Sequence, residues 1–144
     1  MVKDARRIME LVNHYADKGE MLPLNSSRVY QHVRDFVVVE EEGGIVGCGA
    51  LVVMWEDLAE IRSLAIAPEH QRKGYGRQMV ESLLKEARHL GVKRVFALTY
   101  QMGFFEKMGF QFTEKEKLPH KIWADCFNCP KFPNCDETAF IIHL

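Results

Sequence analysis

No stretch of this sequence is apolar for long enough to cross a bilayer. The longest apolar run, Ile45 to Trp55, is too short and carries two glycines that weaken a strand. An excess of one charge sign is missing as well: the formal net charge is −1 over 144 residues, so no overall basic field recruits nucleic acid or anionic lipid. The opening residues, Met-Val-Lys-Asp-Ala-Arg-Arg, have no apolar segment behind their charges and do not read as a secretory signal. Internal repeats, linkers and low-complexity tracts are lacking too. Cysteine is scarce, at four residues, and without a secretory signal these are expected as reduced thiols or metal ligands rather than disulfides. What remains is ordinary globular composition, 47% hydrophobic and 27% charged. The expectation is a soluble cytoplasmic protein with one domain over residues 1–144.

Along the chain the hydrophobic period changes in a readable order. Ile8, Leu11, Val12 and Tyr15 give one apolar face to a first helix, closed at Gly19. Met21-Leu22-Pro23-Leu24 is an apolar link. Asn25-Ser26-Ser27 supplies N-cap residues for a second helix with Val29, Tyr30 and Val33. Phe36 to Glu40 and Ile45 to Met54 read as strands joined by the hairpin signal Glu41-Glu42-Gly43-Gly44. A tight turn at Trp55-Glu56-Asp57 leads into a strand from Leu58 to Ile66. After a glycine-bearing loop, Met79, Val80, Leu83, Leu84, Ala87 and Leu90 mark a long helix ending at Gly91. Arg94 to Thr99 is then the parallel partner expected of a βαβ unit. A short helix around Phe104 to Met108, a strand from Phe110 to Thr113, an irregular stretch and a last strand from Thr138 to His143 complete the chain.

The loop between the strand and the long helix carries the chemistry. Gln71-Arg72-Lys73-Gly74-Tyr75-Gly76 puts two glycines where a helix begins. Glycine allows close approach to backbone, and the first N–H groups of a helix lack intrahelical partners and attract anions. This reads as a pyrophosphate cradle. It lacks the Gly-Lys-Ser/Thr ending of the nucleoside-triphosphate loop and the three spaced glycines of the dinucleotide fingerprint. Arg72, Lys73 and Arg77 either flank the phosphates or form a solvated helix start.

These six residues resemble the Q/R-x-x-G-x-G/A signature of the GNAT superfamily of N-acetyltransferases, in which the loop holds the pyrophosphate of acetyl-CoA. The element order is similar to that family across nearly the whole chain, and Phe104-Phe105-Glu106-Lys107-Met108-Gly109-Phe110 resembles its F-Y-E-K-x-G-F segment beside the coenzyme thiol. The resemblance implies an α/β (α+β) GNAT fold: a mixed central sheet of about six to seven strands with helices on both faces. It implies acetyl-CoA as cosubstrate, with Leu64, Ala65, Ile66, Gln71, Arg72, Lys73, Gly74, Tyr75, Gly76, Arg77, Phe104 and Phe105 as its contacts. The tyrosine that many members use to protonate the leaving thiolate falls at Phe105, so acid help would come from Tyr100 or Thr99. Three stretches, Val46 to Leu51, Ala59 to Ile66 and Phe96 to Tyr100, resemble the acetyltransferase domain of N-acetylglutamate synthases, especially the short stand-alone type. That implies glutamate as acceptor and arginine biosynthesis as the setting. Where those enzymes usually carry arginine, Leu24 stands here. Arg28, Arg62 and Lys121 are the cations left to meet the substrate carboxylates. Another amine or peptide acceptor, or a coenzyme-binding sensor without turnover, are the alternatives. The expected partner is a small-molecule amine or amino acid, with a homodimer left open and neither nucleic acid nor membrane expected.

Amide formation needs a neutral amine, a stabilised oxyanion and a departing thiolate. Glu60 is the candidate base. Strand alternation expects Glu60, Arg62, Leu64 and Ile66 on one face, running toward the glycine loop; the plainer reading has Glu60 and Arg62 paired with each other or hydrated. A backbone N–H at Ile66 or Ala65, where the strand splays from its neighbour, is expected to meet the oxyanion. Splaying also frees backbone for the peptide-like pantetheine arm. Cys126, Cys129 and Cys135 form C-x₂-C-x₅-C, either a zinc site completed by Asp125, Asp136, His120 or His143, or three free thiols. Cys48, on an apolar strand, reads as core filler.

Overall fold

A computed structural model describes residues 1–18, 25–71, 73–99, 101–114 and 138–144. Helix α1 (Ala5–Ala16) buries Ile8, Leu11 and Val12, the stripe its sequence spacing predicts. Helix α2 (Ser26–Gln31) starts where Asn25 Oδ1 accepts the Arg28 N–H at 2.9 Å, satisfying one orphan donor of the first turn. Val33 lies beyond this helix, in a 3₁₀ turn (Val33–Asp35).

Strands β1 (Phe36–Glu41) and β2 (Gly44–Trp55) form the expected hairpin. Its turn places Glu42 and Gly43 at φ 50° and 81°, the left-handed pair that matches the twist of a two-residue hairpin loop. β3 (Leu58–Ile66) pairs antiparallel with β2, and helix α3 (Tyr75–Leu90) crosses over to β4 (Arg94–Thr99), which pairs parallel to β3. Helix α4 (Met102–Lys107), β5 (Gln111–Thr113) and β6 (Thr138–His143) follow. The described strands form one mixed sheet in the order β1-β2-β3-β4-β6-β5, so β6 inserts antiparallel between β4 and β5.

Helices cover both faces. Below one face, Val80, Leu83, Leu84 and Ala87 of α3 pack on Leu51, Ala59, Ile61, Val95 and Ala97, and Met79 lies against Gly47 and Gly49. On the other, α1 and Val29 of α2 pack on Cys48, Ala65 and Ala67. Gly47 and Gly49, which weaken β2 as a strand, make room for α3. A Cβ at Gly49 would lie 3.0 Å from Leu64 Cδ1 and 3.3 Å from Met79 Cε; one at Gly47 would lie 2.6 Å from Ile66 Cδ1. The mixed sheet with helices on both faces, expected from the sequence at about six to seven strands, is observed with six strands among the described residues. No helix among the described residues is long and apolar enough to cross a membrane.

Candidate functional site

The expected single face for Glu60, Arg62, Leu64 and Ile66 is wrong, and one residue explains why. Ser63 adopts φ 56°, a left-handed conformation unusual for a residue with a side chain, and the β2–β3 register shifts between Cys48 and Ala50 at this point. The bulge reverses the alternation. Glu60 pairs with Val52 and Arg62 with Ala50, on the side of α1 and α2. Beyond the bulge, Ile66 pairs with Gly47, on the side of α3, and Leu64 lies against the Gly49 position there too. Ala65 pairs with Cys48 and faces α1. The strand therefore presents its acid–base pair to one face of the sheet and the aliphatic approach to the glycine loop to the other.

Glu60 is also where the sheet opens. Parallel pairing of β3 with β4 runs only through Leu58↔Arg94, Ala59↔Val95 and Glu60↔Phe96, although β3 continues to Ile66 and β4 to Thr99. The splay expected from the sequence thus begins directly after the candidate base. Ala67 N–H bonds the Val46 carbonyl of β2 at 2.8 Å. Successive N–H groups on a strand point to opposite sides, so that of Ile66 points away from β2, toward the gap left by β4. Thr99 ends β4 on the α3 face, the same parity as Val95 and Ala97; it is buried, and its Oγ1 accepts the Gln101 N–H at 2.8 Å. Tyr100 lies outside the described residues.

Glu60 itself is buried, at 7% exposure, and its Oε1 accepts from Arg62 Nε. Arg62 also reaches Met54 Sδ at 3.9 Å. The ion pair realises the plainer sequence reading without excluding the other, because a carboxylate has further lone pairs to offer. Arg28 stands on α2, on the same side of the sheet as this pair; Lys121 lies outside the described residues.

The glycine loop leads into α3 as expected, but the two glycines have different local reasons. Gly74 is the N-cap, with φ 82°, a region only glycine enters cheaply. No side chain among the described residues caps the helix there, which leaves its first N–H groups to a ligand. Gly76 has no such φ; a Cβ would lie 3.3 Å from Phe104 Cε1. Phe104 of α4 therefore sits beside the loop, whereas Phe105 is buried against Phe110 in the core, their rings edge to face at 5.1 Å. Arg77 is turned to Glu81 at 3.0 Å on the exposed helix surface. Arg72 lies outside the described residues.

Two side chains matter here that the sequence pattern does not mark, Tyr15 and Glu41. Tyr15, taken as part of an apolar stripe, donates its hydroxyl to the Ile66 carbonyl, and Gln71 Nε2 donates to that hydroxyl at 2.5 Å. A tyrosine at the end of a buried stripe is itself a signal, since its hydroxyl needs a partner. Glu41, read only as a hairpin residue, accepts from Tyr75 Oη at 2.6 Å and Lys73 Nζ at 3.2 Å, with His70 Nδ1 at 3.2 Å. The Tyr75 hydrogen bond, followed by that of Lys73, holds the Glu41 carboxyl below its usual range; the same bond raises the Tyr75 phenol. Cys126, Cys129 and Cys135 lie outside the described residues, among which no group of three or more His, Cys, Asp or Glu is gathered for a metal. Cys48 is core, as expected, and burial pushes its thiol up to about 12.

Known proteins resemble this chain in sequence and fold. The model of the acetyltransferase (GNAT) family matches residues 5–110. An uncharacterized N-acetyltransferase of Chlorobaculum tepidum is 44% identical over 138 residues, 96% of this chain and 89% of that protein. An amino-acid acetyltransferase of Mycobacterium tuberculosis is 43% identical over 128 residues, 87% of this chain and 71% of that protein. A Mycobacterium tuberculosis protein crystallised in complex with CoA and a second ligand superposes with a TM-score of 0.87 at 32% identity, covering 100% of this chain and 96% of its own. N-acetylglutamate synthase from Neisseria gonorrhoeae, complexed with coenzyme A and N-acetyl-glutamate, gives 0.88 at 27% identity; the match covers 98% of this chain and 33% of that one.

Proposed function

The chain belongs to the acetyltransferase (GNAT) family, and we propose that it transfers the acetyl group of acetyl-CoA to the α-amine of a small amino acid, glutamate first, in the setting of arginine biosynthesis. The relatives named amino-acid acetyltransferase support an amino-acid acceptor. The observation that carries the reading is the parting of β3 and β4 immediately after the Glu60↔Phe96 pair. It opens a gap through the sheet, with a buried carboxylate on one face and the uncapped start of α3 on the other.

In this reading the amine enters on the Glu60 face and the thioester on the α3 face. An α-amine is mostly protonated at neutral pH, so Glu60 takes its proton, directly or through water. The nitrogen attacks the thioester carbon, and the Ile66 N–H stabilises the oxygen as it becomes negative. Collapse breaks the carbon–sulfur bond, and the second proton of the amine leaves the nitrogen for the departing sulfur or for water. A thiolate with a pKa near ~8.5 departs without a dedicated acid; Thr99, whose oxygen already accepts the Gln101 N–H, retains a hydroxyl hydrogen, and Tyr100 is the other candidate donor. Gln71, Arg72, Lys73, Gly74, Tyr75, Gly76 and Arg77 line the pyrophosphate. Leu64 and Ile66, with the backbone of Ala65 between them, flank the pantetheine, and Phe104 lies toward the thiol with Phe105 packed behind it in the core. Arg28, Arg62 and Lys121 answer the two carboxylates of glutamate. The whole of residues 1–144 serves this one domain. A zinc on Cys126, Cys129 and Cys135 would be structural rather than catalytic.

The test is a panel of the standard amino acids with acetyl-CoA and a free-thiol readout. Thiol release with glutamate or glutamine and none with peptides is the expected result. Release only with peptide or protein amines would remove the amino-acid acceptor and leave the family membership intact.

A further inference from the structure

Glu41 lies on β1, an edge strand, with the alternation that points Val37 toward α3. Its carboxylate meets three side chains from one short segment: His70 Nδ1 at 3.2 Å, Lys73 Nζ at 3.2 Å and Tyr75 Oη at 2.6 Å. Lys73 and Tyr75 are the two residues on either side of Gly74, the left-handed N-cap of α3. His70 closes the 3₁₀ turn (Pro68–His70) that leaves β3. His70 and Lys73 also lie 3.2 Å apart through Nδ1 and Nζ, so the three side chains gather on one carboxylate, Lys73 at Oε1 and His70 and Tyr75 at Oε2.

We propose that Glu41 is the positioning residue of the coenzyme loop, a carboxylate on a distant hairpin that holds His70, Lys73 and Tyr75 so that the backbone around Gly74 keeps its cradle form before any ligand arrives. The inference rests on the acetyl-CoA reading of that loop. A single exposed ion pair contributes little to stability. Here one carboxylate accepts from both Lys73 and Tyr75, with His70 beside it, and the tyrosine contact is a short, charge-assisted bond. The glycine-bearing loop loses conformational freedom when it closes on a phosphate, and fixing its flanks beforehand lowers that cost. Glu41 does not approach the reacting atoms; it acts through the loop.

Carrying like charge to the pyrophosphate, Glu41 would weaken coenzyme binding if it acted only as a local field. The positioning role predicts the opposite effect on removal. Glu41→Ala should raise the KM for acetyl-CoA roughly tenfold with kcat changed less than about twofold. Glu41→Gln keeps an oxygen that accepts from Tyr75 and Lys73, so it should recover most of the loss. In the ligand-free protein, backbone amides of residues 73–76 should exchange with deuterium faster in Glu41→Ala than in wild type, while those of α3 beyond the first turn do not. That last measurement involves no coenzyme, so it reads the clamp even if the acetyl-CoA reading fails; absence of CoA binding to wild type by calorimetry would mark that separate failure. Unchanged loop exchange, or a lower KM in both variants, overturns the proposal.

Discussion

Arg62 donates to Glu60 from two residues along the same strand, on the sheet face away from α3 and directly beside the point where β3 and β4 part. Strand neighbours two apart share a face, so the pair needs no chain rearrangement to form. It sets a cation against a buried carboxylate, whose burial alone would be costly. The pair therefore serves both folding and the proposed chemistry.

Arg62→Met should expose that dependence. Removing the guanidinium leaves a carboxylate at 7% exposure without its neighbouring cation. A loss of about 1–4 kcal/mol is expected in denaturant unfolding. The KM for the amino acid should rise while that for acetyl-CoA stays near wild type. Unchanged stability together with unchanged amino-acid KM would show that the pair does neither job.

Gly49 tests the packing of α3. Its absent Cβ is crowded by Leu64, Met79 and Leu83, at 3.0, 3.3 and 3.5 Å. Gly49→Val adds two further methyl groups and should cost about 1–3 kcal/mol by overpacking. A stability equal to wild type in urea unfolding would mean that α3 yields freely there.

The order of elements was legible because hydrophobic period and turn chemistry agree in every segment from α1 to β6. The face of each residue on β3 was not. It depends on a left-handed serine at Ser63, and serine carries no sequence mark of positive φ as glycine does. Gly76 was legible as a special position but for an incomplete reason, since its neighbour Phe104 comes from an element 28 residues further on. Tyr15 and Glu41 were hidden in a helix stripe and a turn. Their partners lie 51 and 34 residues away, distances at which local pattern is silent. The insertion of β6 between β4 and β5 was equally invisible, because sequence order does not dictate sheet order.

The loop glycines separate two effects. Gly74→Ala forces a side chain into φ 82° and should destabilise by about 1 kcal/mol. Gly76→Val bears on the cradle: acetyl-CoA affinity by calorimetry should fall at least about tenfold, and should stay low in a Phe104→Ala background, where the aromatic ring no longer crowds the new side chain. Undiminished affinity in a folded Gly76→Val protein would end the cradle reading.

Cys48 gives a pH prediction with a clear sign. With its thiol pushed up to about 12, the reactive thiolate is scarce at pH 8. Peptide-resolved mass spectrometry should find Cys48 unmodified after iodoacetamide treatment of native protein at pH 8, and alkylated once the protein is unfolded. Rapid native alkylation would place Cys48 in a much more open setting.

The account turns on Glu60 as the base. Glu60→Gln keeps shape and hydrogen bonding but removes basicity, so the decisive measurement is its kcat with acetyl-CoA and glutamate between pH 7 and pH 9. With Glu60 as the base, kcat falls roughly 10²–10⁴-fold at neutral pH, coenzyme affinity stays near wild type, and activity partly recovers as pH rises and the amine deprotonates unaided. Wild-type turnover at neutral pH would contradict it and leave Glu60 as the structural partner of Arg62.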